Sequence, residues 1–280
     1  MRAKTLFLFS LTLSLLLLTI SCSSGPAAPE KGTPAFYWGA ANETFAVGDY
    51  NKTLEHLDSL LKTDNQYTAQ AYPWYLVLST GMTHGYIELA DRFETGARMN
   101  KDNPGAFRRQ VSTYRGFARG LTLPFVETFD RFRKNNKDAE IQLGFPYPSG
   151  SQGEPISVSR IAGGILPPAA ELETAQAAEL KRTVLLATAR ATGSGSDTTK
   201  AQVLFKAAPV KVPRAVFMQA MAGALYDHAM LFEQKKMDEP NRMKLMLSQA
   251  AGALTAVPEN KSVKELSTKI DKAQKTLKKT

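Results

Sequence analysis

Cysteine and histidine are scarce in this chain. Its 280 residues include one cysteine, Cys22, and three histidines, His56, His84 and His228. A single thiol cannot form an internal disulfide, and three scattered histidines give no metal-ligand spacing such as His-Glu-x-x-His. There is no Gly-x-Ser-x-Gly elbow. Gly193-Ser194-Gly195-Ser196 lacks the strand before it and the Lys-Ser/Thr after it that a phosphate loop needs. The chain is therefore read as having no catalytic or metal-ligating residue and no cofactor, and so as a non-enzyme. Acidic side chains are outnumbered, 26 against 35 basic, for a formal charge of +9. That balance suits anionic partners such as lipid headgroups or envelope polymers. Hydrophobic residues make up 43% and charged residues 22%, enough apolar material for a buried core.

The N-terminus has three parts. Met1-Arg2-Ala3-Lys4 is basic, Leu6 to Ile20 is apolar, and Ser21-Cys22 follows at once. The apolar stretch is about 15 residues, short of the roughly 20 that a spanning helix needs, and the order is that of a secretory signal. Leu18-Thr19-Ile20-Ser21-Cys22 resembles the lipobox of bacterial lipoproteins, with Leu18 one place earlier than the family's usual leucine. The resemblance implies cleavage after residue 21, a diacylglyceryl group on the Cys22 thiol and an acylated new N-terminus. It implies a partner too, the lipid bilayer, since two or three chains anchor stably where one does not. Ser23, which is not aspartate, implies the outer membrane under the enterobacterial sorting rule. Nucleic acid is not expected as a partner of such an exported chain. Residues 22–33, rich in Ser, Gly and Pro, read as a flexible tether.

The next hundred residues show a repeat. Phe36 to Leu61, Ala71 to Met99 and Gly105 to Phe132 are alike in helical apolar spacing, with Gly48, Gly85 and Gly120 at their middles. Each reads as helix, tight turn, helix, since glycine tolerates the positive φ of such a turn. In the first, Tyr37, Ala40, Ala41 and Phe45 form one stripe and Leu54, Leu57, Leu60 and Leu61 the other. The period resembles that of the tetratricopeptide repeat, near 34 residues. That resemblance implies an all-α fold in which antiparallel helix pairs over 34–135 stack as a solenoid. It also implies a concave groove lined by the first helix of each pair. Arg108, Arg115 and Arg119 share one helical face and are the candidate groove residues, able to hold a carboxylate or phosphate.

Residues 136–167 change character, with Gly144, Pro146, Pro148, Gly150, Gly153, Pro155, Gly163, Gly164 and Pro167 breaking any helix. Apolar residues among them point to a loop docked on the helices, with Phe145 and Tyr147 as a candidate lid. Ile156 to Ser159 has the look of a short strand. Helices return over 168–280. Phe217, Met221, Ala224, His228 and Leu231 form one stripe, Met243, Met246, Leu247, Ala250 and Leu254 another, and Ser262 with Glu265 a capping box. The last helix, with Val263, Leu266, Ile270, Ala273 and Leu277 on one side and lysines on the other, suits the end cap of an array. The expected role is binding or scaffolding of envelope proteins or peptides on the periplasmic side. The alternative is a ligand-carrying component of an envelope transport system.

Overall fold

The computed structural model describes residues 29–148, 158–206 and 209–277. The signal segment, Cys22 and most of the tether lie outside them. The described residues are mostly helical and share one hydrophobic core running from Ala41 to Ile270.

Helices α1 (Pro34–Ala46) and α2 (Tyr50–Leu60) form the hairpin that the repeat pattern predicts. Thr33 caps α1 by accepting from the Phe36 amide, and Pro34 opens its first turn. Gly48 turns the chain at φ +83°, and Asp49 caps α2 through the Lys52 amide. The hydroxyls of Thr44 and Thr53 meet at 3.0 Å between the two helices.

The second and third repeats are corrected. Each is one unbroken helix, α3 (Thr68–Met99) and α4 (Pro104–Asn135), so Gly85 and Gly120 are not turns and the three-pair solenoid is not formed. The glycines of α3 serve close packing instead. A Cβ on Gly81 would lie 2.5 Å from the Cα of Val184, and one on Gly85 would lie 2.7 Å from the Thr183 hydroxyl. Helix α6 (Ala169–Ala191), which carries both neighbours, can approach α3 only where these side chains are missing. Every residue of α3 from Ala71 to Thr83 is buried, the pattern of a helix surrounded on all sides. Its principal partners are α4 and α6. Pro73 lies inside α3 and costs the hydrogen bond to the Ala69 carbonyl; Ala69 is exposed, so water can take that place. Pro124 stands in the same relation to exposed Gly120 in α4.

After α4 come β1 (Glu140–Leu143), α5 (Val158–Ala162), α6, α7 (Thr198–Lys206), β2 (Val210–Pro213), α8 (Arg214–Ala229) and a 3-10 turn (Met230–Phe232). Helices α9 (Pro240–Leu254) and α10 (Lys261–Leu277) close the chain. The two strands pair antiparallel, Ile141 opposite Val212 and Leu143 opposite Val210, with all four side chains buried. This sheet was not expected. The expected strand at Ile156 to Ser159 lies half outside the described residues, and Val158 and Ser159 instead open α5. The stripes of α8 and α9 face the core as predicted. The cap of α10 is Asn260, which accepts from the Val263 amide, while the Ser262 hydroxyl binds Asn260 rather than the backbone.

Two substitutions separate the packing role of glycine from a turning role. Gly81→Ala should lower unfolding free energy by about 1–3 kcal/mol through overpacking. Gly120→Ala, where nothing lies within 4 Å of the added carbon, should raise it by roughly 0.5–1 kcal/mol. Urea denaturation of both variants beside the parent reads the difference. A loss at Gly120 as large as that at Gly81 would point to a chain reversal there.

Candidate functional site

The three candidate arginines do not act together. Arg108 and Arg115 line a cleft of about 860 Å³ between the C-terminal part of α3 and the N-terminal part of α4. Arg98 and Lys101 stand on the same wall, and Lys236, from the loop before α9, completes it. Among the described residues Glu94 is the only acid lining this cleft, and Arg115 donates to it at 2.5 Å. Arg108 and Lys101 are exposed and have no ion-pair partner among the described residues. Lys236 pairs with Glu233 at 3.5 Å and Asp91 lies near both Lys236 and Arg115, so the excess positive charge of the cleft rests on Arg98, Lys101 and Arg108, accessible to solvent and to an anion. Arg119 is not part of it. Its guanidinium reaches Glu239 at 2.5 Å, which also takes Arg242 at 2.6 Å. This fork ties α4 to the start of α9, just after Asp238, whose backbone is left-handed at φ +51°.

Phe145 and Tyr147 do dock on helices, but away from the arginine cleft. Phe145 is buried, stacked on Trp74 at 6.0 Å and edge-on to Phe45. Tyr147 donates to the Thr198 carbonyl at 2.7 Å and packs on Phe205. Neither lines the cleft of Arg108, so the described structure gives them a packing position rather than that of a lid over it. Cys22 falls outside the described residues.

Two polar clusters have no local signal in the sequence. In the first, Glu88 and Arg92 of α3 meet Glu179 and Arg182 of α6. Arg92 lies 3.1 Å and Arg182 2.7 Å from Glu179, which is almost wholly buried, and Arg182 also bonds Glu88. Burial alone would raise the Glu179 carboxyl, but hydrogen bonds from Arg182 and Glu88 and the charge of Arg92 outweigh it and hold it low. Burial and the neighbouring Glu179 push Glu88 up. Two arginines against two carboxyls of opposed acidity form a structural clamp across the α3–α6 contact.

In the second cluster, His84 of α3 meets Asp227 of α8 at 2.8 Å. Burial would raise the Asp227 carboxyl, but the His84 hydrogen bond and the charges of His84 and Arg190 overcome it and keep the group below its usual range. His228 is buried edge-on to Phe125 at 4.9 Å, and neither ring nitrogen has a partner among the described residues. It is a core residue, as its stripe position implies, but not a hydrogen-bonded one. Among the described residues no group of three or more His, Cys, Asp or Glu side chains could hold a metal, and no helix is long and apolar enough to cross a membrane. Comparison with protein-family models, with curated proteins and with solved structures finds no match for the chain.

Burial drives the His228 imidazole from its ordinary 6.5 down to about 3. Between those values the unfolded chain binds a proton that the native chain does not. Stability therefore falls as pH drops through that window, by about 1.4 kcal/mol per unit. His228→Leu removes this loss, so its stability should decline less steeply than the parent's from about pH 6 to about pH 4. Denaturant melts at each pH measure both slopes, and identical slopes would contradict the assignment.

Proposed function

We propose that the protein is a lipid-anchored lipoprotein of a bacterial envelope, facing the periplasm, that binds an acidic segment of another envelope protein. The observation that supports this most directly is the cleft between α3 and α4, where Arg115 pairs with Glu94 and Lys236 with Glu233 while Arg98, Lys101 and Arg108 stand on its wall without an ion-pair partner among the described residues. An anionic peptide would gain from those charges without burying any of its own, the arrangement that favours rapid, salt-sensitive association. The lipobox resemblance at Cys22 supplies the anchor, and the tether of residues 22–33 the reach. The tetratricopeptide-like reading enters this proposal as antiparallel helix pairing, α1 with α2 and α3 with α4, presenting a grooved face. It does not enter as a regular stack of repeats.

The two halves are tested separately. Cys22→Ser should abolish incorporation of labelled palmitate and move the protein from the membrane fraction to the soluble one; a variant still labelled and still sedimenting would remove the anchor from the account. For the cleft, a fluorescent oligo-glutamate peptide should bind the parent at low salt. Binding should weaken about tenfold or more in Lys101→Glu with Arg108→Glu. No binding at low salt, or equal binding by that double variant, would sink the cleft as an acidic-segment site.

A further inference from the structure

A second cleft lies nearer the middle of α3. It has a volume of about 430 Å³ and is enclosed by Thr80 of α3, the end of α6 at Ala187 and Arg190, the turn at Gly193 and Gly195, α8, and Leu266 of α10. Its outline is set by missing side chains. Gly223 sits in the interior of α8, where glycine costs about 1 kcal/mol against alanine, and a Cβ there would meet nothing within 4 Å. Its wall neighbours Ala220, Ala224 and Ala187 add only single methyl groups. The glycines of α3 are explained by the helix that presses on them. Gly223 is half-buried, and its open side lines the cleft.

The wall carries one charge of each sign. Arg190 reaches the Asp227 Oδ2 at 3.7 Å, and His84 takes the same oxygen at 2.8 Å. Both contacts fall on one side of the carboxylate. Thr80, also in the wall, is almost wholly buried and its hydroxyl has no hydrogen-bond partner. Ser79 and Thr83 of the same helix are in the same condition, but of the three only Thr80 lines this cleft. Val216, Met221 and Leu266 add apolar surface. A simple anion would be repelled by Asp227 and a simple cation by Arg190. A small molecule with both charges a few ångströms apart satisfies both. We infer that this cleft binds a free α-amino acid with an apolar side chain, its carboxylate on Arg190, its ammonium on Asp227 and its side chain in the space left by Gly223. The volume lies within the range of ordinary small-molecule sites.

The test is calorimetric titration of the purified protein with leucine, 3-methylbutylamine and 4-methylpentanoate, which carry both charges, the amine alone and the acid alone. Leucine should bind, and each singly charged analogue at least about tenfold more weakly, a difference of ~1.4 kcal/mol. Gly223→Leu projects a side chain into the cleft from a position where an added Cβ meets nothing within 4 Å, and it places a better helix former in α8. It should therefore melt no lower than the parent while losing leucine binding. Asp227→Asn should weaken leucine by about tenfold or more. Absence of binding by leucine and by phenylalanine up to about 10 mM, equal binding by either singly charged analogue, or unchanged binding by Gly223→Leu would each overturn the assignment. None of these readouts touches the cleft of Arg108.

Discussion

The approach of α3 to α6 at Gly81 and Gly85 is the constraint on which the rest of the molecule depends. With Val184 where a side chain of Gly81 would stand, the two helices are separated by little more than their backbones. Such contact rewards a straight, continuous α3, because a turn at Gly85 would withdraw half the helix from α6. Once α3 is continuous it is buried along most of its length, and α4 and α6 must cover it. Both clefts follow from this. One is walled by residues near the C-terminal end of α3, Glu94 to Asn100, and the other includes Thr80 nearer its middle.

Burying a helix on all sides leaves polar groups where water cannot reach them, and the chain meets this in two ways. Where charges are unavoidable they are paired across the helix contact, as Glu88 and Arg92 with Glu179 and Arg182. Removing one member of such a set leaves an uncompensated buried charge, so the clamp penalises other registers of α3 on α6 more than it adds to stability. Where the groups are neutral they are simply tolerated, as with the ring nitrogens of His228 and the hydroxyls of Ser79 and Thr83. Their cost is carried by the apolar area around them.

Local features were legible in the sequence. The α1–α2 hairpin was, because Gly48 and two leucine-and-aromatic stripes state the same geometry within a few residues. The α8 and α9 stripes were readable for the same reason. Gly85 and Gly120 misled, because a glycine in a helical pattern is consistent with a turn, with a close neighbour and with an open helix face; the distant Thr183 and Leu180 mark the second at Gly85, and the empty surroundings of Gly120 the third. The sheet was hidden because Ile141 and Val212 are each part of a short segment with no hairpin between them. Of the cleft residues, Arg108 and Arg115 announced themselves by helical spacing. Lys236 and the pairing of His84 with Asp227 had no local signal, since they depend on contacts more than a hundred residues apart. Arg119 had the right spacing but is held by Glu239, a partner that no periodicity could supply.

Native-state hydrogen exchange across α3 tests the central claim most directly. If one uninterrupted helix is held by its close contact with α6, the amides from Leu76 to Phe93 exchange only through global unfolding, with no gap at Gly85. Rapid exchange confined to the amides from His84 to Glu88, between slower flanks, would reveal a chain reversal there and contradict the account.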